Sequence, residues 1–181
     1  MFKSLRSIVE RRETPPISDK YRDLRNIIIN LDPESQNIKP SNELPNVWGI
    51  LIESSSRFPC LTVAVMILAD GHTSIYGSEG AAYLGIHPSP EIAEISEFIL
   101  TTAENMFSNL KPTTDFPIPY FGSVNFFVFT YSGAVMECVK EKELHEEEQP
   151  FASLYRAYHE ILYRNRVLIQ NNPDRMIFFK E

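Results

Sequence analysis

Val47–Tyr76 reads VWGILIESSSRFPCLTVAVMILADGHTSIY, and this stretch decides the fold. Leu61, Val63, Val65 and Ile67 alternate with Ala64, Met66 and Leu68, so the segment Leu61–Ala69 is apolar on both faces. A strand of that kind lies inside a sheet and is covered above and below. Asp70-Gly71 follows it, a turn pair that accepts positive φ and closes a hairpin onto a strand at Thr73–Tyr76. Upstream, Val47–Glu53 is a further apolar strand, separated from the first by a turn over Ser54–Pro59. Gly49 inside it marks a bulge or a close neighbour.

Working toward the C-terminus, the segment 77–90 holds three of the seven glycines, and Ala81–Leu84 could add a short strand. Ser89-Pro90-Glu91 has the chemistry of a helix start: a side-chain cap, proline at the first helical position and a carboxylate at the dipole's positive end. Ile92, Ile95, Ile99, Ala103, Met106 and Leu110 step by three or four and predict a helix to about Asn109, with Glu91, Glu94, Glu97, Thr101 and Glu104 on its wet side. After a proline-punctuated loop come strands at Ser123–Tyr131 and Ala134–Lys140, joined by a turn at Ser132-Gly133. Glu137 alternating with Val135 and Val139 places the second of these nearer an edge. Glu141–Glu148 reads as a solvated acidic run, and Phe151 to about Ile169 as a last helix. The tail contains Met176-Ile177-Phe178-Phe179, too apolar to hang free, so it is expected to dock on its own body or a partner.

Toward the N-terminus, Tyr21, Leu24, Ile27, Ile28 and Leu31 fall at helical spacing between Arg22, Asp23, Arg25 and Asn26, predicting a helix over Asp19–Leu31 capped by Ser18 or Asp19 and stopped at Pro33. Residues 32–46 carry three prolines and read as a surface loop. Residues 1–18 read as a peripheral arm with a short helix at Phe2–Arg12, ending in Pro15-Pro16. The expected organisation is therefore an arm at 1–18, one domain at 19–169 and a tail at 170–181. The fold class is α+β: a five-stranded, mainly antiparallel sheet from two hairpins with three helices, in the order α-βββ-α-ββ-α.

Composition narrows the functions. Of 181 residues 43% are apolar and 23% charged, which is ordinary for a globular chain. Residues 1–40 carry eight Lys/Arg and six Asp/Glu, and the remainder nine and eighteen, so a body of charge −9 follows an arm of +2. An acidic body repels phosphate backbones, which argues against nucleic acid. The N-terminus lacks the apolar core of a secretory signal, and the longest apolar run, Val63–Ala69, is too short to span a bilayer, so no membrane partner is expected and the cytoplasm is the expected compartment. Cys60 and Cys138 form neither a disulfide framework nor a CxxC pair; Cys138 is expected in the core and Cys60 half-buried. His72, His87, His145 and His159 share no metal spacing, and His159-Glu160 lacks the second histidine of HExxH because Tyr163 stands there. No cofactor, metal or catalytic residue is expected. Gly77, Gly80 and Gly85 fit neither the dinucleotide fingerprint nor the P-loop, and Ser54-Ser55-Ser56 lacks the glycines of a nucleophile elbow.

From Leu24 onward the chain resembles an uncharacterised bacterial protein family. The residues that carry this are Val47-Trp48-Gly49-Ile50-Leu51, Leu68 to Tyr76, Gly85, Pro119, Gly122-Ser123-Val124-Asn125-Phe126, Thr130-Tyr131-Ser132-Gly133 and Leu154 to His159. That family has a run of glycines where this chain has Gly80-Ala81-Ala82-Tyr83. The resemblance brings no activity with it. The element order is also similar to profilin-like or roadblock-like folds, an analogy that implies an interaction module.

The leading expectation is a non-enzymatic interaction or regulatory module that pairs with itself as a dimer or binds another protein. Its motive is a two-faced apolar sheet with too few helices to shelter it, leaving roughly a few hundred Å2 to be covered. The alternative is a small-ligand-binding protein or enzyme with a site near loop 77–88, for which Trp48, His72, Tyr76 and His87 are the candidate ligand-binding residues.

Overall fold

A computed structural model describes residues 13–86, 89–171 and 177–178. The proposed helix at Phe2–Arg12 lies outside the described residues. The chain runs α1 (Asp19–Ile29), β1 (Val47–Ser56), β2 (Leu61–Leu68), β3 (Thr73–Gly77), β4 (Ala81–Ile86), α2 (Pro90–Met106), β5 (Lys111–Thr113), β6 (Ser123–Thr130), β7 (Gly133–Lys140), α3 (Ala152–Asn171) and β8 (Ile177–Phe178). Single 3-10 turns follow α2 at Phe107–Asn109 and β7 at Glu141–His145. The α+β class stands, with an antiparallel sheet and three helices, but the expected five strands are too few. The strand order is β5-β7-β6-β1-β2-β3-β4-β8. The glycine-bearing segment forms a full strand, β4, on β3; Lys111–Thr113 adds the edge strand β5; the two-residue β8 docks part of the tail on Ala81 and Ala82. Short strands with proline or small residues carry little apolar alternation, which is why the sequence pattern passes over them.

Two antiparallel runs, β1 to β4 and β5 to β7, meet where β1 pairs with β6. The helix α2 takes the chain from β4 to the opposite edge at β5, and α3 brings it back toward β8, so the two helices cross the same face in opposite directions. Against that face pack Ile50, Ile52, Val65, Ile67, Phe126 and Val128 from the sheet with Ile99, Leu100, Leu154 and Ile161 from the helices. The other face presents Trp48, Leu51, Met66, Tyr76, Phe127 and Phe129 to Tyr21, Leu24 and Ile28 of α1 and to Ile38, Phe116 and Ile118 of the loops. Every residue of β6 is buried. The central layer is therefore sheltered on both sides by its own chain, against the expectation of uncovered area. Proline-bearing loops do the work that a fourth helix would otherwise do.

Gly49 is both a bulge and a point of close approach. The β1–β6 register shifts between Val47 and Gly49. A Cβ on Gly49 would lie 2.9 Å from Met66 Cε and 3.2 Å from the Ile67 carbonyl oxygen. The shift lets Val47 and Ile50 face α2 and α3 while Trp48 faces α1.

Several finer expectations change. The helix α1 stops at Ile29 and is capped by Ser18, one of the two expected cap residues, but Ile27 points to solvent and Arg25 is buried. Cys60 and Cys138 are both exposed. Cys138 pairs in register with Asn125 on the α1 side, at a point of β7 beyond the reach of the short edge strand β5, and Cys60 sits in the β1–β2 turn. Glu104, expected on the wet side, instead accepts the Val47 amide at 2.7 Å and the Asn46 side-chain amide at 2.6 Å, tying α2 to the start of β1.

Candidate functional site

The loop coverage on the α1 face leaves a groove of about 780 Å3. Its floor is aromatic: Trp48 lies 5.0 Å from Phe129 between ring centroids, and Phe116 stacks 6.0 Å from Phe129. The indole Nε1 donates to the Thr130 carbonyl at 3.1 Å, which fixes the ring. One wall is the segment after α1. Asn30 caps that helix, the Ile38 amide donates to the Pro33 carbonyl at 2.9 Å, and buried Ile38 pins the loop to the core. The opposite wall is the β6–β7 turn, where Gly133 takes a φ of +134 and Thr130 Oγ1 donates to its carbonyl at 2.7 Å. Thr113 and Thr114 close the far end, and Asp32, Glu34, Lys39 and Tyr131 stand at the rim. Burial, and then the Glu104 charge, raise the Tyr131 phenol above its usual pKa, so it stays a neutral donor and acceptor. The groove has the size and apolar character of small-molecule and side-chain sites.

Of the three candidate residues that are described, the structure brings Trp48 alone into this groove. Tyr76 packs in the same face's core, and burial pushes its pKa up to about 12. His72 stands half-buried at the β2–β3 turn, with Nδ1 2.8 Å from an Asp70 carboxylate oxygen. His87 lies outside the described residues.

Beneath α1 lies a polar cluster that the sequence did not announce. Glu53 is fully buried; Arg25 donates Nε to its Oε1 at 2.6 Å and an Nη to its Oε2 at 2.8 Å, and the Tyr21 hydroxyl donates to Oε1 at 2.7 Å. Arg25 also reaches the Pro117 carbonyl at 3.2 Å, which Asn125 holds at 2.8 Å. Burial first, and the Glu53 charge second, raise the Tyr21 pKa well above its usual value. This arrangement orients α1 and the loop at 117 on the sheet; with its carboxylate wholly enclosed it is support for the groove. The readable signal was an acid inside an apolar strand, which demands a buried partner.

A second cluster sits where the turn at 141–145 meets α3. His145 and His159 flank Tyr155, whose hydroxyl donates to Glu141 at 2.6 Å, and with Arg156 and Tyr163 they border a hollow of about 550 Å3. Burial, then the Glu141 hydrogen bond and charge, raise the Tyr155 pKa, while burial lowers that of His159. Among the described residues no three His, Cys, Asp or Glu side chains are placed to hold a metal ion, and no helix is long and apolar enough to cross a membrane.

Set against known proteins, the chain matches no protein-family model, no curated protein and no solved structure.

Proposed function

We propose that the protein is a non-enzymatic binding module of the cytoplasm whose recognition surface is the groove over Trp48. Its partner is another protein, entering with an apolar side chain beside a basic one. The observation that carries this is the aromatic floor of Trp48, Phe116 and Phe129 beneath an opening of about 780 Å3. Burying one large apolar side chain on such a floor contributes about 1.5–3 kcal/mol, enough to make it the centre of an interface. Asp32 and Glu34 at the rim and the −9 body favour a basic partner and speed its arrival. A small-ligand reading has the groove's volume in its favour, though at Trp48 rather than near loop 77–88.

Trp48 is the sole tryptophan, so its emission reports on the groove directly. An amphipathic Lys/Leu peptide is expected to shift that emission saturably, and a Glu/Leu peptide of equal length to do so at least tenfold more weakly, roughly 1.4 kcal/mol. Thr114→Phe, which fills the groove from its exposed end, is expected to abolish the response. Emission unmoved by either peptide in the wild-type chain overturns the reading.

A further inference from the structure

The helices that cover one face of the sheet turn their outer sides to solvent, and those sides are chemically opposite. On α2 the outward positions Glu91, Glu94 and Phe98 follow helical spacing, and the helix carries four carboxylates and no cation. On α3 the outward positions Arg156, Tyr163 and Val167 do the same, and its charges are three arginines against one glutamate. That glutamate, Glu160, is already paired with Arg164 at 2.7 Å. Arg164 also feels Glu91, which fits helices running in opposite directions side by side. Among the described residues Glu94 and Arg156 make no ion pair. Phe98 is 47% exposed, Tyr163 60% and Val167 37%, so each helix carries a large apolar side chain beside its own sign of charge.

We propose that this two-helix face is the contact surface for a second copy of the same chain. A twofold axis parallel to the helices lays α2 of one copy over α3 of the other, and repeats the contact in reverse. Each acidic row then meets a basic row, and Phe98 and Tyr163 of both copies form the apolar seam between them. Arg156 and Tyr163 border the hollow of about 550 Å3 beside His145 and His159, which gives the opposing α2 side chains a recess to enter. A helix of this length spans about 25 Å and two packed helices are about 20 Å wide, so the footprint approaches the lower end of specific interfaces, and a micromolar dimer is expected. Exposed ion pairs contribute little each. The seam supplies affinity, and the charges select this pairing over others. The surface lies on the face opposite the Trp48 groove and stands independently of it.

The test is sedimentation velocity on the full chain up to about 100 μM at low salt, where a dimer is expected. Because each substitution acts twice across a twofold axis, Glu94→Arg or Arg156→Glu alone is expected to weaken the dimer at least about tenfold. The double variant Glu94→Arg/Arg156→Glu restores opposite rows and is expected to recover wild-type association within about threefold. Phe98→Ser, at a third exposed site, is expected to dissociate the dimer without altering the charge rows. All three positions are on the surface, so folding is checked by superimposable circular dichroism. A wild-type chain that stays monomeric at about 100 μM overturns the proposal. So does a dimer indifferent to the single reversals, or one that the double variant fails to restore.

Discussion

The two faces of the sheet are covered by different means. Over one, α2 and α3 supply 17 and 20 residues of helix, and the buried contacts are almost wholly apolar, with Thr73 and Ser96 sharing one hydroxyl–hydroxyl bond at 3.0 Å. Over the other, α1 supplies 11 residues, loops supply the rest, and the helix is held by a buried ion pair. Apolar packing is forgiving in orientation, because contacts can be exchanged among neighbours. A forked Arg25–Glu53 pair is not, because each bond fixes an angle. The face with less helix is thus the one whose cover is placed most exactingly, and it is the one that contains the groove.

The largest expected effect breaks that contrast at its polar end. Glu53→Ala leaves the Arg25 guanidinium buried without its carboxylate and is expected to cost about 3–5 kcal/mol in urea unfolding. Leu154→Ala on the helical face is expected to cost about 2–5 kcal/mol through the cavity it opens. The two faces separate in the double variants. Replacing Arg25 and Glu53 together by Met and Leu is expected to recover most of the Glu53→Ala loss, since no charge is then left unpaired. A Glu53→Ala cost below about 1 kcal/mol is incompatible with an enclosed pair.

Next comes the strand that both faces share. Gly49→Ala puts a methyl 2.9 Å from Met66 Cε and 3.2 Å from a backbone oxygen, and is expected to cost about 1–3 kcal/mol. Because the nearer atom is the end of a flexible side chain on the α1 face, adding Met66→Val is expected to return part of the loss. If the second substitution returns nothing, the backbone contact with Ile67 sets the cost instead.

The same contrast governs what the sequence disclosed. The stripes of α2 and the alternation of β2 are periodic, and periodicity is the signal of a helix or strand packed on one broad apolar face; both lie within a few residues of where the pattern put them. The α1 face depends on isolated residues instead. Ile38 and Phe116 are single apolar side chains in proline-bearing loops, and Arg25 sits at a position that polarity alone assigns to water. No window of sequence registers a contact between 25 and 53 or between 38 and 48. An aromatic in a central strand must pack or line something, and Trp48 packs in the core while bordering the groove. Its neighbours in the groove come from three separate loops and were not legible.

The smallest expected effect lies on the helical side. The His159 imidazole packs edge-on against Tyr155 at 4.4 Å and Tyr158 at 5.1 Å. Burial lowers its pKa, Glu141 opposes that, and His145 adds to it. In the unfolded chain a histidine titrates near about 6.5. Below that value the unfolded state takes up a proton that the folded state still refuses, so acidification favours unfolding until the lowered folded pKa is passed. Above it the term vanishes. His159→Gln is therefore expected to flatten the stability profile on the acid side of about 6.5 and leave the alkaline side unchanged. The check is urea unfolding at stepped pH beside an NMR titration of the His159 ring. A ring that titrates above the ordinary value reverses the sign: Glu141 would then outweigh the tyrosine packing, and the α3 face would be stabilised by acid.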